Sequence, residues 1–183
     1  MIGTLVLLPV LSPAALLNFE GLTTGTFLTN EFQATDSIVF LENARIHFLG
    51  ANHATSGLLG LYDGGASISA EFRLSGGSAA VTNMVSIKGD LIPIAGTVTL
   101  EAFDINGSLL ASDVKPDSPA PASLSISTSG IHSIRFFSQS GTVAFDDLAF
   151  NTPVAVDATI PEPGSLALLL SGFVGFVAFR RCK

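Results

Sequence analysis

Along most of the central chain, apolar and polar residues alternate with a period of two. Thr97-Val98-Thr99-Leu100-Glu101-Ala102 places Val98, Leu100 and Ala102 on one face, the pattern of a half-buried strand. Asp104-Ile105-Asn106-Gly107-Ser108 breaks the pattern before Leu109-Leu110-Ala111. Asn-Gly between apolar runs is the strongest short hairpin signal, because both residues accept a positive φ. A second strand pair is predicted from Leu124–Thr128 and Ile131–Phe137, divided by Ser129-Gly130. Ser37–Phe40, Arg45–Phe48, Ala66–Leu74, Val81–Ile87 and Thr142–Phe150 predict further strands, whereas Asp113–Ala122, rich in Pro and Ser, predicts a loop. No stretch between Asn18 and Asn151 keeps a helical period long enough for a major helix. Short strands at this spacing predict an all-β fold, an antiparallel β-sandwich or jelly roll.

The pattern changes at both ends. Ile2–Leu17 is almost wholly apolar, with small residues at Ser12, Ala14 and Ala15 that suit signal-peptidase cleavage after Ala14 or Ala15. No Lys or Arg precedes it, so two readings stay open: an incomplete signal peptide, or a first strand. Pro9 and Pro13 would interrupt a strand and favour the signal. At the other end Pro161-Glu162-Pro163 precedes fourteen uncharged residues, Leu166–Phe179, and then Arg180-Arg181-Cys182-Lys183. Two prolines a residue apart enforce an extended stretch before the run, which then suits a hydrophobic helix. The cations place its end on the cytoplasmic side of a membrane. A comfortable span needs about 20 apolar residues, so this run is short for a permanent anchor. The chain divides into 1–17 (export segment), 18–151 (sandwich), 152–159 (linker) and 160–183 (tail with the membrane helix).

The triplet, the run and the basic end resemble the PEP-CTERM sorting signal of bacterial exported proteins. The resemblance covers only the tail and rests on Pro161, Glu162, Pro163, Arg180 and Arg181. It implies recognition by exosortase, a membrane protease-transpeptidase that removes the tail near the triplet. The protein would sit in the inner membrane transiently, then reach the envelope, cell surface or extracellular matrix. Members of that family tend to accompany exopolysaccharide production and biofilm formation.

Charge and composition narrow the partners. Between Asn18 and Thr159 there are fourteen Asp and Glu against five Lys and Arg, which argues against nucleic-acid binding. The only cysteine is Cys182, so no disulfide or zinc cluster forms within the chain. His47, His53 and His132 form no recognised triad or zinc motif, and neither a nucleophile elbow nor a phosphate loop is present. A non-enzymatic protein is expected.

Asn18-Phe19-Glu20-Gly21 near one end of the body and Val143-Ala144-Phe145-Asp146-Asp147-Leu148 near the other resemble jelly-roll carbohydrate-binding modules. In those modules the first and last strands often share a structural calcium. That resemblance implies Glu20 and Asp146 as ligands, with backbone carbonyls completing the shell. On an extended strand Asp146 shares a face with Leu148 and Phe150 and would point toward the core, where a carboxylate needs a cation or several donors. Capping of backbone amides is the alternative. For saccharide binding, the chain has no Trp and one tyrosine, Tyr62, beside Asp63-Gly64-Gly65 in a predicted loop. Most of its fourteen Phe fall in strand patterns and are expected in the core. The expected role is display of a sandwich in the matrix; a carbohydrate-binding module and, less favoured, a glycan-active hydrolase are the alternatives.

Overall fold

The computed structural model describes residues 14–50, 53–62, 66–92, 96–117, 121–139 and 142–156. The predicted signal segment up to Pro13 and the predicted sorting tail, with the hydrophobic helix expected in it, lie outside them.

Among the described residues, twelve strands and one short helix follow in chain order: β1 Ala14–Leu17, α1 Gln33–Asp36, β2 Ile38–Glu42, β3 Arg45–Phe48, β4 Leu59–Tyr62, β5 Ile68–Phe72 and β6 Ala80–Ile92. Next come β7 Gly96–Phe103, β8 Leu109–Asp117, β9 Ala122–Ile131, β10 Ser133–Ser138, β11 Thr142–Asn151 and β12 Val154–Ala155. One sheet has the path β12-β6-β11-β4-β3, with β1 beside β11 and β9 beside β6; the other runs β2-β5-β10-β7-β8. All pairings within them are antiparallel. Since β6 takes one edge of β11 along its length, β4 and β1 divide the other edge, meeting Ala144–Phe145 and Leu148–Asn151.

From β4 to β11 the chain passes back and forth between the sheets, giving β4-β11-β6-β9 over β5-β10-β7-β8. That strand order is a jelly roll. Inward alternation fills the space between the sheets. Phe136 meets Phe145 edge-on with ring centroids 4.7 Å apart, and Phe72 meets Phe150 at 5.1 Å. Phe19, Phe32 and Phe40 form an edge-to-face trio beside them. Each of these contacts joins ring edge to ring face, the arrangement the aromatic quadrupole favours.

The Asn106 hairpin forms as predicted. Gly107 has φ 79°, and Asp104 Oδ1 accepts the amides of Asn106 and Ser108 at 2.8 Å each. The second predicted pair is corrected: β9 and β10 lie in different sheets. Gly130, at φ 81°, falls within β9, and the chain crosses over at His132, whose amide donates to Phe103 and whose carbonyl accepts from Phe72. The predicted loop over Asp113–Ala122 is also shorter, because β8 continues to Asp117. There Asp113 accepts the Ser125 amide and Lys115 donates to the Ser123 carbonyl, tying this polar edge strand to β9 across the sandwich rim. Pro116 is tolerated because β8 is an edge strand.

The sheet also takes in residues from both flanking segments. Ala14–Leu17 pairs with Leu148–Asn151, and Val154–Ala155 pairs with Ala80–Val81. Among the described residues, no helix is long and apolar enough to cross a membrane.

Candidate functional site

A bulge in β11 determines what Asp146 can do. Its register to β6 moves from Asp146↔Lys88 to Ala149↔Ser86, so β11 carries one extra residue, and Asp147 adopts φ 52° there. Phe145 points inward to Phe136, and beyond the bulge Leu148 and Phe150 point inward again. Asp146 therefore faces outward, opposite to the core-side orientation expected from strict alternation. It is nevertheless 1 % exposed, because the segment between β3 and β4 lies over that outer face.

This covering segment is held by carboxylates from three directions. Asp146 Oδ2 accepts the Thr55 amide at 2.9 Å, the Ser56 amide at 2.8 Å and the Thr55 hydroxyl at 3.1 Å. Its Oδ1 accepts the Asp147 amide at 2.7 Å. Asp147 Oδ2 lies closer to the Thr55 hydroxyl, at 2.8 Å, and shares its single hydrogen with Asp146; it also accepts the Lys88 ammonium at 2.8 Å. Burial pushes the Asp147 carboxyl up, but Lys88 and the hydroxyls of Ser56 and Thr55 outweigh it and hold the group below the ordinary carboxylate value. His53 Nδ1 lies 2.6 Å from Asp90 Oδ2 on β6. At the downstream end Glu20 Oε1 accepts the amides of Leu58 and Leu59 at 2.8 and 2.7 Å. Gly57, at φ 62°, makes room: a Cβ there would fall on the Glu20 carboxyl.

The two residues predicted to share calcium are thus brought to one loop, Glu20 at its exit and Asp146 at its middle. The groups around them do not fit that ion. Calcium takes six to eight oxygens at roughly 2.3–2.6 Å. Here Asp146 and Glu20 face amide and hydroxyl hydrogens, and Lys88 supplies the nearby cation. Among the described residues, no group of three or more His, Cys, Asp and Glu is placed to hold a metal. With the loop in this position the carboxylates act as caps.

Beside the latched loop, on the outer face of the same sheet, lies a row of side chains that sequence reasoning saw only in part. Phe27 bridges to Arg45, and Arg45 is the register partner of Tyr62. Tyr62 ends β4 rather than lying in a loop, and its ring sits 4.9 Å from that of His47, tilted by 34°. His47 lies diagonally across the strand pair from Tyr62, its own register partner being Gly60. His47 Nδ1 donates to the Phe48 carbonyl at 3.0 Å; since a carbonyl only accepts, that nitrogen carries a hydrogen. The Arg45 guanidinium stacks over Phe27 at 5.5 Å, and Phe27 is 63 % exposed. Phe27 sits in no alternating run, and its neighbour Arg45 is brought to it only by the bridge between them.

On the other sheet Arg135 has a different environment. It stacks over Phe103 and Phe137 but also donates twice to Glu101 Oε2, at 2.8 and 2.6 Å. His132 Nδ1 donates to the Ala80 carbonyl at 2.8 Å, so the three histidines serve three separate places.

Comparison with known proteins finds distant structural similarities for the body and a motif match for the tail. Arabinose-bound MgGH51 α-L-arabinofuranosidase is similar at 14% identity and TM-score 0.46, over 78% of this chain and 27% of that one. The CBM22-1–GH10 modules of Clostridium thermocellum xylanase 10B, complexed with xylohexaose, are similar at 12% identity and TM-score 0.40, over 65% of this chain and 26% of that one. TmCBM61 in complex with β-1,4-galactotriose is similar at 12% identity and TM-score 0.36, over 73% of this chain and 99% of that one. The chain spans about a quarter of the length of the first two. No curated protein sequence matches it. Residues 159–181, which include Pro161-Glu162-Pro163 and Arg180-Arg181, match the PEP-CTERM protein-sorting motif, so the chain carries the tail of an exported protein and the signal for exosortase-type processing.

Proposed function

We propose that this is a non-catalytic protein of the cell surface or extracellular matrix, sorted through its tail and displaying the sandwich for a structural or binding role among exopolysaccharide. The sorting motif at 159–181 is the observation that carries the reading. An acidic body of fourteen Asp and Glu against five Lys and Arg between Asn18 and Thr159 supports a solvated life outside the membrane. Non-catalysis is supported by the roles of the carboxylates around the latched loop: Asp90, Asp146, Asp147 and Glu20 all hold backbone or side-chain donors in place. A glycosidase needs two carboxylates flanking a cleft, one to protonate the leaving oxygen and one to act on the sugar ring or its water.

The test replaces Pro161-Glu162-Pro163 with three alanines and follows the mass and location of the protein in its own cell. Loss of tail cleavage and of surface delivery is expected. Unchanged cleavage and delivery would overturn the proposal. A carbohydrate-binding role proper is favoured by one observation, the row around Arg45 of exposed Phe27 and half-exposed His47 and Tyr62.

A further inference from the structure

Five Lys and Arg residues lie in the described part of the chain, and four of them pair with carboxylates: Arg73 with Glu71, Lys88 with Asp147, Lys115 with Asp113 and Arg135 with Glu101. Among the described residues, Arg45 is the one without such a partner, in a chain whose net charge is −7. Acidic side chains outnumber basic ones, so this is a local arrangement rather than a shortage of anions. Arg45 is exposed, and one face of its guanidinium rests on Phe27, which orients the planar fork on the sheet surface. Its N–H groups are the donor set that takes a carboxylate in two parallel bonds.

The surroundings narrow the bearer of that carboxylate. Tyr62 is the cross-strand partner of Arg45, and directly opposed residues on one face hold their Cβ atoms about 4.5–5.5 Å apart. Tyr62 and His47, with rings 4.9 Å apart and tilted by 34°, form a half-exposed aromatic platform next to the cation. The Tyr62 hydroxyl and His47 Nε2 add polar groups at the rim of that platform. A sugar ring carries an apolar C–H face and a belt of hydroxyls, so it matches ring faces edged with polar groups. An unadorned acidic peptide matches only the guanidinium. Arg135 provides the contrast: it has aromatic neighbours too, but Glu101 already fills its fork.

We propose that Phe27, Arg45, His47 and Tyr62 form a binding site for a uronic-acid unit of an acidic polysaccharide, with Arg45 taking the carboxylate and the Tyr62–His47 rings taking the sugar face. This rests on the reading of the protein as one displayed among exopolysaccharide, and it names the ligand class. Leu49, where the latched loop begins, borders this site, because it sits over Gly60, the residue opposite His47.

The test is isothermal titration of the full chain, held in a mild non-ionic detergent, with trigalacturonate, its methyl ester and hexa-aspartate. Trigalacturonate is expected to bind. Its methyl ester, which keeps the rings and removes the charge, is expected to bind about tenfold or more weakly, as is the acid to Arg45→Ala, the loss of about one charge-assisted contact. Arg45→Lys restores part of the affinity, and Tyr62→Ala weakens both acid and ester. Because Arg45 is exposed, its variants should unfold at the wild-type temperature, separating binding from folding. No binding of trigalacturonate, equal binding of the ester, equally tight hexa-aspartate, or wild-type affinity in Arg45→Ala each overturns the proposal. These outcomes are independent of tail cleavage, so failure here leaves the sorting result standing.

Discussion

Replacing Asp146 with alanine should release the loop that covers the outer face of the sheet. Asp146 Oδ2 is the acceptor for two loop amides at 2.8–2.9 Å, and Oδ1 is the acceptor for the Asp147 amide in the bulge. Each buried donor left without a partner costs about 1–3 kcal/mol. Three such donors set an upper bound near 9 kcal/mol, but Thr55 and Ser56 belong to a loop that can swing out and meet water, which leaves a net loss of about 3 kcal/mol. With a urea slope of about 2 kcal/mol/M, the unfolding midpoint falls by about 1.5 M. Equilibrium urea unfolding followed by circular dichroism measures it. Asp146→Asn keeps one acceptor oxygen and should lose about half as much. The same titrations in chelator should give the wild-type midpoint. A loss under about 1 kcal/mol in Asp146→Ala would refute the clamp. A chelator effect as large as the mutation would refute the hydrogen-bond account and reinstate the predicted calcium.

Two further outcomes follow from the same loop. Gly57→Ala should expel the Glu20 carboxylate from the amides of Leu58 and Leu59 and strain a backbone at φ 62°, costing about 1–2 kcal/mol. In a Glu20→Ala background the same change should cost less, and a double-mutant cycle by urea unfolding that is strictly additive would count against the contact. Asp147 is held below its ordinary value in the folded state, so the unfolded chain binds its proton first as acid is added. Its contribution is complete above that value and is lost as pH falls through the folded pKa; Lys88→Met should flatten this acid limb of a stability-versus-pH curve, and an unaltered limb would contradict the ion pair.

Strand periodicity made most of the body legible before any coordinates. β3 coincides with the predicted Arg45–Phe48, and β11 extends the predicted Thr142–Phe150 by one residue. What escaped is non-local. The Asp146 side chain faces outward because one extra residue sits in β11, and a bulge does not alter the apolar count that periodicity reads. β9 and β10 resembled a hairpin because Ser129-Gly130 is turn-like, yet which sheet each strand joins depends on β5, β6 and β7. Tyr62 was singled out, but its partners were not: Phe27 and Arg45 are distant in sequence and adjacent only through cross-strand register. Glu20 and Asp146 hold opposite parts of one loop, which carried no signal beyond Thr55, Ser56 and Gly57.

The strand pairings also decide how the molecule bears tension. Ala14 lies opposite Asn151, and Ala155 lies opposite Ala80, so the chain enters and leaves the described body at one end of the sheet. The row at Phe27, Arg45 and Tyr62 lies level with Ala144, about 20 Å away along β11. A pull between that row and the tail therefore runs parallel to β11. Ladder bonds lie across the strand direction, so such a pull loads many of them side by side in shear. A pull between the two chain ends instead starts at β1 and β12, which are four and two residues long, and peels them one bond at a time. The jelly roll is mechanically directional: firm along β11 from Ala144 toward Asn151, and soft at β1 and β12.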